Sequence, residues 1–314
     1  MLIKPLKNPP NMKKIIRLFW QIPSLTIGLF ICFVIGGMLS GLSESGSDES
    51  DPEAVATAAQ TAGLLLLSCF ITVLTVIPLL WYTRWRGLKL SLAVFILYFG
   101  ISTFMTQIES IFFNSALAIP ADMQGQIILS GLIVAILFAP LSVWIMGKMR
   151  GIGEVASSMP TRQLLTKGLL LGFIYLCVYL LFGYFIAWQS AAVRLFYQGN
   201  SDIVPFGQHM LGIVTDGPAL IFFQLIRGVI WASLAWLVIQ MTEGSWWIKG
   251  LIIGLLFGVM ATGGLLLPNP FMPAEVRWAH LWETSSSNFV FGFIAGWILR
   301  WPLLKGLQDK TTSG

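Results

Sequence analysis

Ala56-Thr-Ala-Ala-Gln-Thr-Ala-Gly-Leu-Leu-Leu-Leu-Ser-Cys-Phe-Ile-Thr-Val-Leu-Thr-Val-Ile-Pro-Leu-Leu-Trp81, with Arg84 and Arg86 just beyond it, decides the fold. No side chain in the run carries a full charge. A helix of this length crosses a hydrocarbon core of about 30 Å at 1.5 Å per residue. Backbone in such a core finds no water, so its N–H and C=O groups must bond within the segment, which only a helix allows here. Trp81 belongs at headgroup depth and the two arginines in water beyond it.

Seven further runs read the same way. The spans are expected at 18–42, 56–81, 88–113, 126–147, 165–188, 217–241, 247–267 and 279–301, an all-α bundle of about eight transmembrane helices. Composition agrees: of 314 residues 56% are hydrophobic and 11% charged, against roughly 25% charged in a soluble domain. The expected organisation is a basic N-terminus (1–17), one membrane domain (18–303) and a short tail (304–314). The longest link, 189–216, leaves no room for a separate soluble domain. The first run is too long for a cleaved signal and reads as a retained helix.

Charge sets the expected orientation. Lys4, Lys7, Lys13, Lys14, Arg17, Arg84, Arg86, Lys89, Lys148, Arg150, Arg162, Lys167, Lys249, Arg300, Lys305 and Lys310 fall on one side, and only Arg194 and Arg277 on the other. The positive-inside rule then makes both termini cytoplasmic. The same placement explains the net charge of +5 without nucleic acid. No Asn-x-Ser/Thr sequon occurs, which points to a prokaryotic plasma membrane. The first outer link, from Ser43 to Glu53, carries five acids and no base and reads as a solvated loop.

Inside a bilayer, helices pack through small residues. Gly250, Gly254 and Gly258 form one face of the seventh span, Gly292 and Gly296 one of the eighth, and Gly168 and Gly172 one of the fifth. The seventh and eighth spans are expected to pack tightly. Pro78 and Pro140 should loosen the helices that contain them. Arg86-Gly-Leu, Lys167-Gly-Leu and Lys249-Gly-Leu open alternate spans, a weak echo of the kind internal repeats leave. The three cysteines, Cys32, Cys69 and Cys177, lie in apolar runs and read as small buried hydrophobes.

Ionisable groups at membrane depth are candidate functional residues, because each is expensive there. Arg227 lies near the middle of the sixth span, with Gln224 one turn earlier on the same face. Glu109 ends a polar stripe on the third span that includes Thr106. The eighth span opens with His280, Glu283, Thr284, Ser287 and Asn288 at helical spacing. These three faces are expected to meet, with Arg227 paired to Glu109 or Glu283 and Asn288 completing the hydrogen bonds. The product is either an outward-facing polar pocket or a structural ion pair. The candidate substrate-binding residues are therefore Glu109, Arg227, His280, Glu283, Asn288, Gln224 and Thr106.

Two histidines are too few for a histidine-rich metal site, so neither metal nor cofactor is expected. Trp231, one turn beyond Arg227, is read as a packing residue rather than a platform for the guanidinium. The last outer link holds Pro268, Pro270 and Pro273 and is either a lid or a stiff connector. There is no His-Glu-x-x-His, Gly-x-Ser-x-Gly or phosphate-binding loop, so the chain is not expected to hydrolyse ATP by itself. Three functions fit: binding or transport of a small solute, an intramembrane enzyme on a lipid or peptide, and a non-catalytic partner or sensor subunit. The bilayer is the one sure partner; a solute, an oligomer or a second membrane subunit would follow from the function.

Overall fold

The computed structural model describes residues 12–42, 52–151, 153 and 159–300. Most of the acidic first link, four of the five N-terminal basic residues' side chains, Trp301 and the tail with Lys305 and Lys310 lie outside the described residues. The long helices are α1 (Met12–Ser40), α2 (Pro52–Tyr82), α3 (Gly87–Phe112), α4 (Ala121–Ile145) and α5 (Thr161–Phe185). Two short helices follow, α6 (Ala191–Gln198) and α7 (Phe206–Asp216), within the link between long helices. The chain then forms α8 (Pro218–Met241), α9 (Trp246–Leu266) and α10 (Ala274–Arg300). No strand occurs among the described residues.

Seven of these helices, α1 to α5, α8 and α9, are long and apolar enough to cross a membrane. Their limits follow the apolar runs to within a few residues. The largest departures come where polar first turns extend a helix towards water, as Asp122, Gln124 and Gln126 do at the start of α4. The helix α10 has the length to cross but opens with Glu275, Arg277, His280 and Glu283, which lower its apolarity.

Packing follows the small residues. A methyl group on Gly254 would come within 2.9 Å of the Phe289 carbonyl, and one on Gly292 within 2.9 Å of the Gly254 backbone. Gly250 and Gly296 meet in the same way. The α9 and α10 backbones therefore touch along several turns, as the glycine spacing requires. Gly172 meets Gly228 where α5 crosses α8. Gly168 departs from expectation: nothing lies within 4 Å of its missing Cβ, so only Gly172 makes the contact. α1 packs on α2 and α4, and α3 also packs on α4. Pro78 and Pro140 lie inside continuous helices.

The basic links gather at one end of the bundle and serve its helix termini. The last carbonyls of a helix lack intrahelical donors and carry partial negative charge. Lys148 Nζ donates to Thr83 O at 2.7 Å, just past the end of α2. Lys167 Nζ donates to Leu299 O at the end of α10, and Lys249 Nζ to Ile239 O at the end of α8. The hairpins α5–α8 and α9–α10 thus cap each other, each through the lysine that opens its first helix.

The opposite end is built differently. α3 closes on Asn114, whose side chain both accepts from Ile119 N–H and donates to Ile119 O. This clamp holds Ala118 in the left-handed region at φ 51, a conformation that costs a non-glycine residue about 1–2 kcal/mol. Ala187 and Val193 pack with Val276 at the start of α10, with Met272, Trp188 and Tyr197 around them. A small apolar layer therefore joins the start of α10 to α6. Two π-helical turns, Gly100–Phe104 in α3 and Leu256–Met260 in α9, lie against each other deep in the bundle.

Candidate functional site

Arg227 is 3% exposed and forms a two-pronged ion pair with Glu109. One terminal nitrogen donates to Glu109 Oε1 at 2.6 Å, the other to Oε2 at 2.7 Å. The first also donates to Gln224 Oε1 at 2.9 Å, and the second to Met105 O at 3.3 Å. Fork-to-fork geometry of this kind is the strongest arrangement open to a guanidinium and a carboxylate. Tyr175 and Phe223 lie 5.7 and 5.5 Å from the guanidinium carbon, within cation–π range. The close crossing of Gly172 and Gly228 brings Tyr175 this near. Trp231 packs on Phe257 instead, at 4.4 Å between ring centres.

Of the two carboxylates weighed as partners, Arg227 takes Glu109 and makes no bond to Glu283. Glu283 is 5% exposed. Its Oε2 accepts from the Thr284 hydroxyl at 2.9 Å and lies 3.7 Å from His280 Nδ1. Neither a lysine nor an arginine reaches it among the described residues. Asn288, five residues further along α10, is 3% exposed, and its side chain makes no hydrogen bond among the described residues. The expectation that Asn288 completes the Arg227 network is corrected: Gln224, on the arginine's own helix, fills that place. Gln224 Nε2 and His280 Nε2 are buried without partners.

Three tyrosines surround these groups. Tyr175 and Tyr179, one turn apart on α5, and Tyr197 on α6 all lie within electrostatic reach of both Glu109 and Glu283. The Tyr197 ring meets His280 edge-on at 5.6 Å. Burial first, then the two carboxylates, push the Tyr197 phenol well above its usual range, so it stays protonated. The spacing of polar residues missed these rings, because a tyrosine in an apolar run reads as packing.

The rest of the α3 stripe turns inward on itself. Thr106 donates to Ser102 O and Thr103 O, and Ser110 to Thr106 O, so Thr106 has no bond to Arg227 or Glu109. Short hydroxyl side chains bond the preceding turn when no better acceptor is near. His209, on α7, packs on Trp188 and Tyr184, where burial lowers its basicity. Among the described residues no group of three His, Cys, Asp or Glu gathers as metal ligands would. The proline-rich link bears an open concavity of about 550 Å³ lined by Pro268, Pro270, Met272, Pro273 and Arg277. It contains neither Arg227 nor either glutamate, and the Met272 packing ties the link to α6 as a connector.

The fold and its buried charges define a helical multi-pass membrane protein. No family model, curated protein or solved structure matches the chain.

Proposed function

We propose that the protein binds a small solute in a polar site between α3, α5, α8 and α10, at the end of the bundle away from its basic links. In this reading α10 is an eighth span, both termini are cytoplasmic and the site opens outward in a prokaryotic plasma membrane. The continuous contact of α10 with α9 supports the eighth span. The basic residues at one end support the orientation.

The observation that carries the proposal is Glu283. A carboxylate buried at membrane depth costs several kcal/mol unless something neutralises or solvates it. Arg227 is already matched by Glu109, so that pair is self-sufficient and locks α3 to α8. Glu283 has only a hydroxyl and a distant imidazole, and the Asn288 side chain, five residues further along α10, makes no hydrogen bond among the described residues. Groups left open in this way need water, a proton or a solute.

Glu283→Cys, in a protein whose native cysteines are replaced, tests the proposal. A membrane-impermeant thiol reagent applied from outside should modify it, and a bound solute should slow the reaction. Complete inertness to the reagent in folded protein would remove the site.

A further inference from the structure

We infer that the chain is a tandem of two four-helix repeats, α1 to α4 and α5, α8, α9 and α10, clasped together at the basic end, and that Glu109–Arg227 is the latch that holds them together towards the other end. The inference goes beyond the solute-binding reading and stands without it.

The repeat shows in paired interactions. Gln21 Nε2 on α1 donates to Ile145 O at the end of α4 at 3.1 Å, and Lys167 Nζ on α5 donates to Leu299 O at the end of α10 at 3.0 Å. Lys148, just past α4, donates to Thr83 O in the α2–α3 link, and Arg300, ending α10, donates to Gly244 O in the α8–α9 link. Gly131 on α4 packs on Thr103 of α3, and the hydroxyls of Ser285 on α10 and Thr262 on α9 bond at 2.9 Å. Arg227 on α8 donates to Met105 O on α3, and Ser68 on α2 donates to Gly263 O on α9. The sequence interval is the same each time: Thr83 answers to Thr242, Ser68 to Arg227 and Thr103 to Thr262. Of the three basic-Gly-Leu openings, those at Arg86 and Lys249 lie at the start of corresponding helices, while Lys167 answers to Gln21. The period is therefore four helices and not two. Repeats running in one direction are an established plan for membrane bundles, and here they make α10 the counterpart of α4.

The halves are joined unequally. At the basic end Thr83 and Thr242 form an antiparallel bridge, with Arg84 N–H donating to Met241 O and Glu243 N–H to Tyr82 O, both at 2.9 Å. These two bonds exchange places under a two-fold rotation, so the axis relating the repeats runs through the bridge. Further along, α3 and α8 are held by the two-pronged Glu109–Arg227 pair, a contact of side chains. On the same helices, within two turns of the pair, Ser102 Oγ, Gln107 Oε1, Gln224 Nε2 and Arg227 Nε are buried without partners. Buried polar groups left unmet are costly, and water entering an opened seam meets them. Between clasp and latch, the π-turns Gly100–Phe104 and Leu256–Met260 touch each other. A π-turn is a place where a helix bends. The halves part at the latch while the clasp holds.

The test is the distance between spin labels, measured by double electron–electron resonance on the full chain in lipid nanodiscs after its three native cysteines are replaced. One pair of labels sits at Ala121→Cys and Glu275→Cys, the exposed starts of α4 and α10, and the other at Trp144→Cys and Trp297→Cys near their basic ends. In Glu109→Gln the first distance should gain a population longer by several ångström, while the second stays as in wild type. Glu109→Asp keeps the charge but is too short to hold both nitrogens. It should populate the same longer distance less, and it carries the test if Glu109→Gln does not fold. A first distance unchanged in the folded variants overturns the inference. So does a broadening of both distances together, because the pair would then hold the fold as a whole and not the opening of its halves.

Discussion

Glu109→Leu should destabilise the protein more than Arg227→Met, although both break the same ion pair. The reason is unequal burial: the arginine side chain is 3% exposed and the glutamate side chain 30%. Removing Glu109 deletes two charge-assisted hydrogen bonds at 2.6 and 2.7 Å and strands a guanidinium. Such bonds contribute about 1.5–3 kcal/mol each, and Gln224 and Met105 O recover part of the loss. The expected cost is about 3–5 kcal/mol, the range for orphaning a buried charge. Arg227→Met leaves instead a carboxylate with access to water or a proton, at about 1–2 kcal/mol. The double variant should cost less than Glu109→Leu alone, with a coupling of about 2 kcal/mol or more. Reversible unfolding of the four proteins in mixed micelles measures all of these. If the two single variants cost the same and the double variant is their sum within 0.5 kcal/mol, the burial argument is wrong.

Glycine substitutions should divide sharply by position. Gly258→Ala places a methyl 2.5 Å from Ser285 O and should lower stability by about 1–3 kcal/mol. Gly168→Ala meets nothing and should be neutral or gain up to about 1 kcal/mol of helix propensity, both read by the same unfolding assay. Lys148 gives a pH signature. Desolvation first, then Arg86, pull its pKa down to about 8 from 10.5, with Glu243 opposing. Between those values the unfolded chain holds more protons, so stability rises with pH through that window. The Tm difference between wild type and Lys148→Met should therefore shift in favour of wild type from pH 7.5 to pH 10, and a shift the other way refutes the assignment.

The helices were legible because hydrocarbon allows one backbone solution, and twenty apolar residues announce it. The α9–α10 contact was legible for the same reason: without a hydrophobic drive between helices, only small residues let backbones meet. Arg227 declared its need for a carboxylate, but spacing could not choose between Glu109 and Glu283. The choice depends on how α3 and α10 are rotated against α8, which long-range packing sets. The π-turns within α3 and α9 have no local signature. The tyrosines were hidden because an aromatic ring is at home in lipid, in a core or beside a charge. The link 189–216 concealed α6, whose apolar face becomes visible only against Val276 and Met272.

The account stands on what adjoins Glu283, and a high-resolution cryo-EM map in nanodiscs examines that directly. It should show non-protein density, water or solute, within hydrogen-bonding distance of Glu283. A carboxylate enclosed by protein atoms alone, with Asn288 bonded to a neighbouring helix, would contradict it.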